Sequence, residues 1–113
     1  QYSLVHEAEA AKCAIIFSEE LGLAGAIITI NGRIEGITLG ENIAPDTASV
    51  LIEKTNNNFH GMPQFIYQQF CASDFSGLTY TNAGEDWGIE GLRRAKMSYH
   101  PCLLAKKFLI YEK

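Results

Sequence analysis

The sequence predicts a mixed fold of the α+β (α/β) type, an antiparallel hairpin leading into strand–helix–strand crossovers. Three observations carry that prediction. Asn31-Gly32 separates two β-rich runs. Two later strand-like runs are split by helical segments, and the chain opens on a stretch with apolar residues at the helical period. The order expected is α-β-β-β-α-β-α-β, with a mixed sheet flanked by helices.

The elements follow in turn. Ser3 can cap a first helix whose positions Leu4, Ala8, Ala11 and Ile15 follow the 3.6 period, and Gly22 supplies a left-handed stop. Ala24–Ile30 and Arg33–Leu39 then form a hairpin. Asn-Gly between such runs is the strongest short-range hairpin signal, because a type I′ turn needs φ > 0 at both central positions. Thr47–Thr55 is a third strand, with Val50 and Ile52 alternating against Leu51 and Glu53. The polar loop Asn56 to Gly61 leads into a helix with Pro63 in its first turn and Met62, Ile66, Gln69 and Phe70 along one side. Leu78–Asn82 reads as a short strand. Asn82–Pro101 holds the next helix, and Lys107–Tyr111 a last strand.

Length and composition narrow the class. One hundred and thirteen residues make one domain, residues 1–113, large enough for a real core. Apolar residues at 47% against 19% charged exclude a disordered chain. No run reaches the ~18 apolar residues of a membrane span. No basic-then-apolar leader opens the chain. It starts at Gln1 rather than Met, which suggests a processed product or the tail of a longer protein. Cys13, Cys71 and Cys102 have no metal-pair spacing, so reduced thiols and a cytoplasmic setting are expected. His6, His60 and His100 are equally dispersed, and no metal is assigned. The net charge of −4 argues against bulk nucleic-acid binding. Its distribution is uneven: residues 1–81 hold three basic and nine acidic side chains, residues 82–113 six and four. Either a solvated face or a functional concentration of positive charge explains this.

The segment Asn82–Pro101, NAGEDWGIEGLRRAKMSYHP, is the most distinctive. Gly88, Gly91 and Ala95 offer small residues at helical spacing, which admits a close neighbour. Asn82, Glu85 and Asp86 make a polar mouth. Together with Glu53-Lys54, the run Glu85-Asp86, Gly88-Ile89-Glu90-Gly91-Leu92-Arg93, Ala95-Lys96, Ser98-Tyr99 and Pro101 resembles a bacterial family with two tandem GNAT-like (acyl-CoA N-acyltransferase-like) halves. That family is related to the C-terminal domain of phosphatidylglycerol lysyltransferase, and this chain is similar to its C-terminal half.

The resemblance implies a transferase-like domain that passes an activated acyl or aminoacyl group to an amine or hydroxyl. It implies acyl-CoA or aminoacyl-tRNA as donor. As partner it implies an upstream GNAT-like half or, through unpaired sheet edges, a second copy. A non-catalytic supporting half and an acetyl-CoA-dependent N-acetyltransferase are the alternatives.

By the same resemblance Asn82 and Tyr99 stand where many GNAT enzymes keep a strand-ending Asn and a proton-donating Tyr. A phenol is a plausible acid for a departing thiolate or ribose oxygen. Tyr99 packed beside Pro101 with its hydroxyl in water is the plainer reading. Asp86 either N-caps the helix or acts on the donor or acceptor amine. Glu53, Lys54, Asn58, His60, Gly61, Glu85 and Lys96 are the donor-binding candidates. Asn58, His60 and Gly61 lie on the strand-to-helix loop, whose free backbone N–H groups could hold an anion. GNAT acyl-CoA enzymes carry two closely spaced glycines there, whereas this loop has Gly61 alone. Glu53-Lys54 could instead be a cross-strand charge pair and Lys96 a solvated lysine.

Overall fold

A computed structural model describes residues 2–84 and 89–112. The chain runs α1 (Tyr2–Ile16), β1 (Ala24–Ile30), β2 (Arg33–Ala44), β3 (Thr47–Thr55), α2 (Met62–Asp74), β4 (Tyr80–Asn82) and α3 (Glu90–Met97). One sheet holds the four strands in the order β1-β2-β3-β4, antiparallel except for the parallel β3–β4 pair made possible by the α2 crossover.

Asn31 and Gly32 take φ values of 51° and 80°, as a type I′ turn demands. A second hairpin follows at Pro45-Asp46, because β2 runs on to Ala44 and pairs there with Thr47. The expected end of β2 at Leu39 was five residues short. Ser3 lies inside α1 rather than capping it, and Gly22 turns the chain at φ 69° while Leu23 N–H bonds back to Ser18 O.

The core lies between the sheet and α2. Ala48, Phe70 and Phe75 form its centre, with Ala24, Ala26, Val50 and Leu78 packed around them. Phe70 and Phe75 meet edge to face at 5.1 Å. Gly40 is required here, since a Cβ would stand 2.6 Å from Ser49 O and 3.0 Å from the Phe70 ring. Thr38 is fully buried and spends its hydroxyl on Ile52 O at 3.0 Å.

Three expectations are corrected. No last strand forms at Lys107–Tyr111: residues 103–112 are neither helix nor strand. Phe108, Leu109 and Ile110 stand 81–95% exposed. Their β-propensity is real, but a strand exists only through a partner, and none of the described strands pairs with them. The last helix is also shorter than Asn82–Pro101. It starts at Glu90 with Ile89 rather than Asp86 at the N-cap, and has no side-chain cap bond. Finally, Gly91 is not a close-packing site, because a Cβ there would meet nothing within 4 Å and α3 buries no residue.

Candidate active-site cleft

β4 pairs with β3 only through Thr47↔Tyr80, Ala48↔Thr81 and Ser49↔Asn82. Beyond Ser49 the two strands part, and among the described residues the distal half of β3 pairs on one side only, with β2. Glu53 lies in that half.

Which way Glu53 faces is decided by a bulge. Directly opposed residues of an antiparallel pair share a face. Gly40 is opposite Val50 and Leu39 opposite Ile52, so Leu51 is an extra residue. Gly36 and Gly40 face α2, as the neighbours of their Cβ positions, Ile66, Met62 and Phe70, establish. Val50, Glu53 and Thr55 therefore share the α2 face, since Glu53 opposes Thr38 and Thr55 opposes Gly36. Strict alternation from Val50 would have sent Glu53 to the other side. A bulge changes the side-chain phase by one residue, which is why bulges re-aim residues beside functional sites.

The same phase change separates Glu53 from Lys54. Lys54 shares the opposite face with Ile37 and forms an ion pair with Glu7 of α1. The expected Glu53-Lys54 unit does not exist in the fold.

Around Glu53 gather Tyr67 and Cys71 of α2, Thr81 of β4, Lys96 of α3 and Tyr99 just beyond it. Tyr67 and Tyr99 stack with ring centroids 4.9 Å apart and planes 13° from parallel. The Tyr67 and Thr81 hydroxyls lie 3.1 Å apart, and Cys71 Sγ is 3.8 Å from Thr81 Oγ1. Lys96 Nζ donates to Ala83 O, tying α3 to the chain that leaves β4.

The electrostatics follow from this packing. Burial lifts the Glu53 carboxyl above the usual carboxylate range, and the Lys96 ammonium offsets part of that rise. Burial likewise raises Tyr99, and the Glu53 charge pushes it further the same way. Tyr67 and Cys71 are raised by burial first, against a lowering from the Thr81 hydrogen bond. The upward shifts favour the protonated phenols. Glu53 Oε1 is sealed from solvent and has no hydrogen-bond partner among the described residues, although the residue as a whole is only half-buried.

The other expected residues divide. Asn82 ends β4, and its Oδ1 accepts the Gly84 N–H at 2.8 Å, which fixes the local turn. Asn58 and His60 are exposed on the β3–α2 loop. Asn56 organises that loop: its Nδ2 donates to Glu35 Oε2 at 2.7 Å and its Oδ1 accepts the Asn58 N–H at 3.0 Å. Gly61 caps α2 in the left-handed region, φ 80°, without a side-chain cap bond. The loop is thereby anchored to β2 rather than to the Glu53 cluster. Glu85 and Asp86 lie outside the described residues. Tyr67, Cys71 and Thr81 had no sequence signal beyond ordinary helix and strand positions. They matter because α2 and β4 converge on Glu53.

A strand pair that parts beside a crossover helix is the arrangement of a GNAT-like fold. Its structure matches ribosomal-protein-alanine N-acetyltransferase from Brucella melitensis biovar Abortus with a TM-score of 0.61 over 80% of this chain and 72% of that one. The two are 8% identical, so the likeness is one of fold. The family itself follows from sequence: residues 4–111 match the model of the phosphatidylglycerol lysyltransferase C-terminal family, and the chain belongs to that family. A conserved protein of unknown function from Bacteroides thetaiotaomicron is 36% identical over 92% of this chain, with a TM-score of 0.86. The chain spans 35% of that protein's length. No curated protein matches. Among the described residues no helix is long and apolar enough to cross a membrane.

Proposed function

We propose that this chain is an acyl- or aminoacyl-transferase domain, with transfer to an amine or hydroxyl acceptor taking place where β3 and β4 part. The observation that carries the reading is the bulge-directed placement of Glu53 among Tyr67, Thr81, Lys96 and Tyr99. In this reading Glu53 takes the proton from the attacking acceptor, a task suited to a carboxyl of raised pKa. The acceptor's lone pair forms the new bond to the acyl carbon. The donor's thiolate or ribose oxygen departs with a proton that Tyr99 or Tyr67 supplies. Lys96 stabilises negative charge as it develops. Asn82 shapes the turn beside the cleft, and Glu85 and Asp86 are kept as candidate contacts to the donor.

Aminoacyl-tRNA is the donor this reading favours over acyl-CoA. The loop offers one glycine, spends the Asn58 and Phe59 N–H groups on Asn56, and sets the Glu35 carboxylate beside it. Each of these features disfavours a pyrophosphate. The same loop supports a second reading, a non-catalytic half that works with an upstream GNAT-like half or a second copy. Incubation with radiolabelled aminoacyl-tRNA or acetyl-CoA and a panel of amines and alcohols tests both. Label transfer that Glu53→Gln lowers at least tenfold supports the first reading. Absence of transfer and of thermal stabilisation by either donor supports the second.

A further inference from the structure

We infer that the outer edge of β1 is a docking surface for the C-terminal segment, residues 103–111, of a second copy of this chain, exchanged reciprocally. This goes beyond the transferase reading and does not depend on it.

β1 is a weakly protected edge. It ends the sheet, so among the described residues one side of Ala24–Ile30 has no strand beside it. Its seven residues, AGAIITI, include no charge and no proline. Edge strands are ordinarily blunted by charges, proline, bulges or a covering element, because their free N–H and C=O groups accept further strands. A register shift does fall between Ile28 and Thr29, but Ala24 to Ile28 pair regularly with β2 and keep their outer peptide groups in line. The flank of this edge is apolar. Ile27 is 55% exposed and, with Ile15, Ile37 and Leu39, lines an open cavity of about 230 Å³ between α1 and the sheet.

The segment after α3 is the complementary piece. Phe108, Leu109, Ile110 and Tyr111 are strand-like and stand 78–95% exposed. In a strand, Phe108 and Ile110 would turn to one face, Leu109 and Tyr111 to the other. Added to β1, one pair reaches the cavity beside Ile27 and the other the flank of Ala24 and Ala26. Both faces of the added strand then meet apolar surface.

Geometry and charge select the second copy. The tail of the same copy starts beside β4, where Lys96 is held by Ala83 O, at the far edge of the sheet from β1. To reach β1 it would cross a face that α2 or α1 already occupies. β4 itself offers only three residues to a new strand. Joining β1 to β1 would press two acidic bodies together, since residues 1–81 hold three basic and nine acidic side chains. Residues 82–113 hold six and four, so the tail brings the complementary sign. Each copy gives one strand and receives one, which closes a two-fold dimer. So small a contact implies a Kd on the order of 100 μM, and the dilute chain stays a monomer.

Sedimentation over a concentration series, with the parent, Ile27→Lys and Ile110→Asp, tests the pairing. Both side chains are more than half exposed, so the circular dichroism of the dilute variants should match that of the parent. Each variant is expected to weaken dimerisation at least tenfold. Complementation then identifies the exchange. Nitrogen-labelled Ile110→Asp has an intact β1 edge, and unlabelled Ile27→Lys has an intact tail. Mixing them should shift the amide resonances of Ala24 to Ile28, whereas adding unlabelled Ile110→Asp should not. The pairing is refuted if the parent is monomeric up to millimolar concentration, if either variant dimerises as the parent does, or if the mixture leaves those resonances in place.

Discussion

The sheet with α2 and the stretch after β4 are built on opposite terms. Between Ala24 and Asp74 the hydrophobic pattern closes on itself, and Phe70, Ile66 and Ala48 are almost wholly buried. From Glu90 to Glu112 no described residue is buried, and Leu103, Leu104, Phe108, Leu109, Ile110 and Tyr111 stand 63–95% exposed. Yet the second region brings Lys96 and Tyr99 within electrostatic reach of Glu53. Burial is therefore concentrated in one region, while the other lies against the candidate cleft without adding to the core. α3 is attached through Lys96 to Ala83 O and through Tyr99 to Tyr67, both at its C-terminal end.

The sharpest way to break this contrast is truncation of a large side chain in each region. Phe70→Ala should cost about 3–5 kcal/mol in urea unfolding, whereas Ile110→Ala should stay within about 0.5 kcal/mol of the parent. Comparable losses would mean that the C-terminal segment is packed after all. Glycines give the next largest effect. Gly40→Ala drives a methyl into Ser49 O and Phe70 and should destabilise by about 1–3 kcal/mol. Gly91→Ala, in open space on α3, should instead stabilise by about 0.5–1 kcal/mol.

Between the two regions sits Glu53, whose folded-state pKa is raised by burial. The folded state then holds its proton more tightly than the unfolded chain. Its favourable contribution is complete below the unfolded carboxyl pKa and is lost as pH rises through the folded value. Glu53→Gln should accordingly raise the thermal midpoint by about 2 °C at pH 7. That gain should vanish by about pH 4, where the parent carboxyl is itself protonated. A constant difference across pH would mean that the charge is not what burial penalises. Tyr67→Phe removes the 3.1 Å contact to Thr81 and should cost about 0.5–1 kcal/mol in the same unfolding assay.

Much of the fold was legible because its signals are local. Asn31-Gly32 fixes its turn by backbone sterics alone, Pro63 lies in the first turn of α2, and the 3.6 period of Met62, Ile66 and Phe70 marks the buried face of that helix. The last strand was not legible as absent, because Phe108 to Tyr111 have strand-like side chains whatever they pair with. The site was half legible. Glu53, Lys96 and Tyr99 were named from the resemblance and do converge on the cleft. Lys54 was misplaced, since no sequence pattern announced Leu51 as the extra residue of a bulge. Tyr67 and Cys71 lie on α2 and Thr81 on β4, all in ordinary sequence, and only the crossover brings them to Glu53.

The sequence by itself determined the family, the hairpin, the apolar face of α2 and the residue types available for chemistry, because turn sterics and side-chain periodicity act within a few positions. Only the tertiary structure decided which side chains share the cleft. A single register shift between Leu39 and Gly40 sends Glu53 toward α2 and Lys54 toward α1. Strand phase depends on the partner strand, which the chain meets only when it folds.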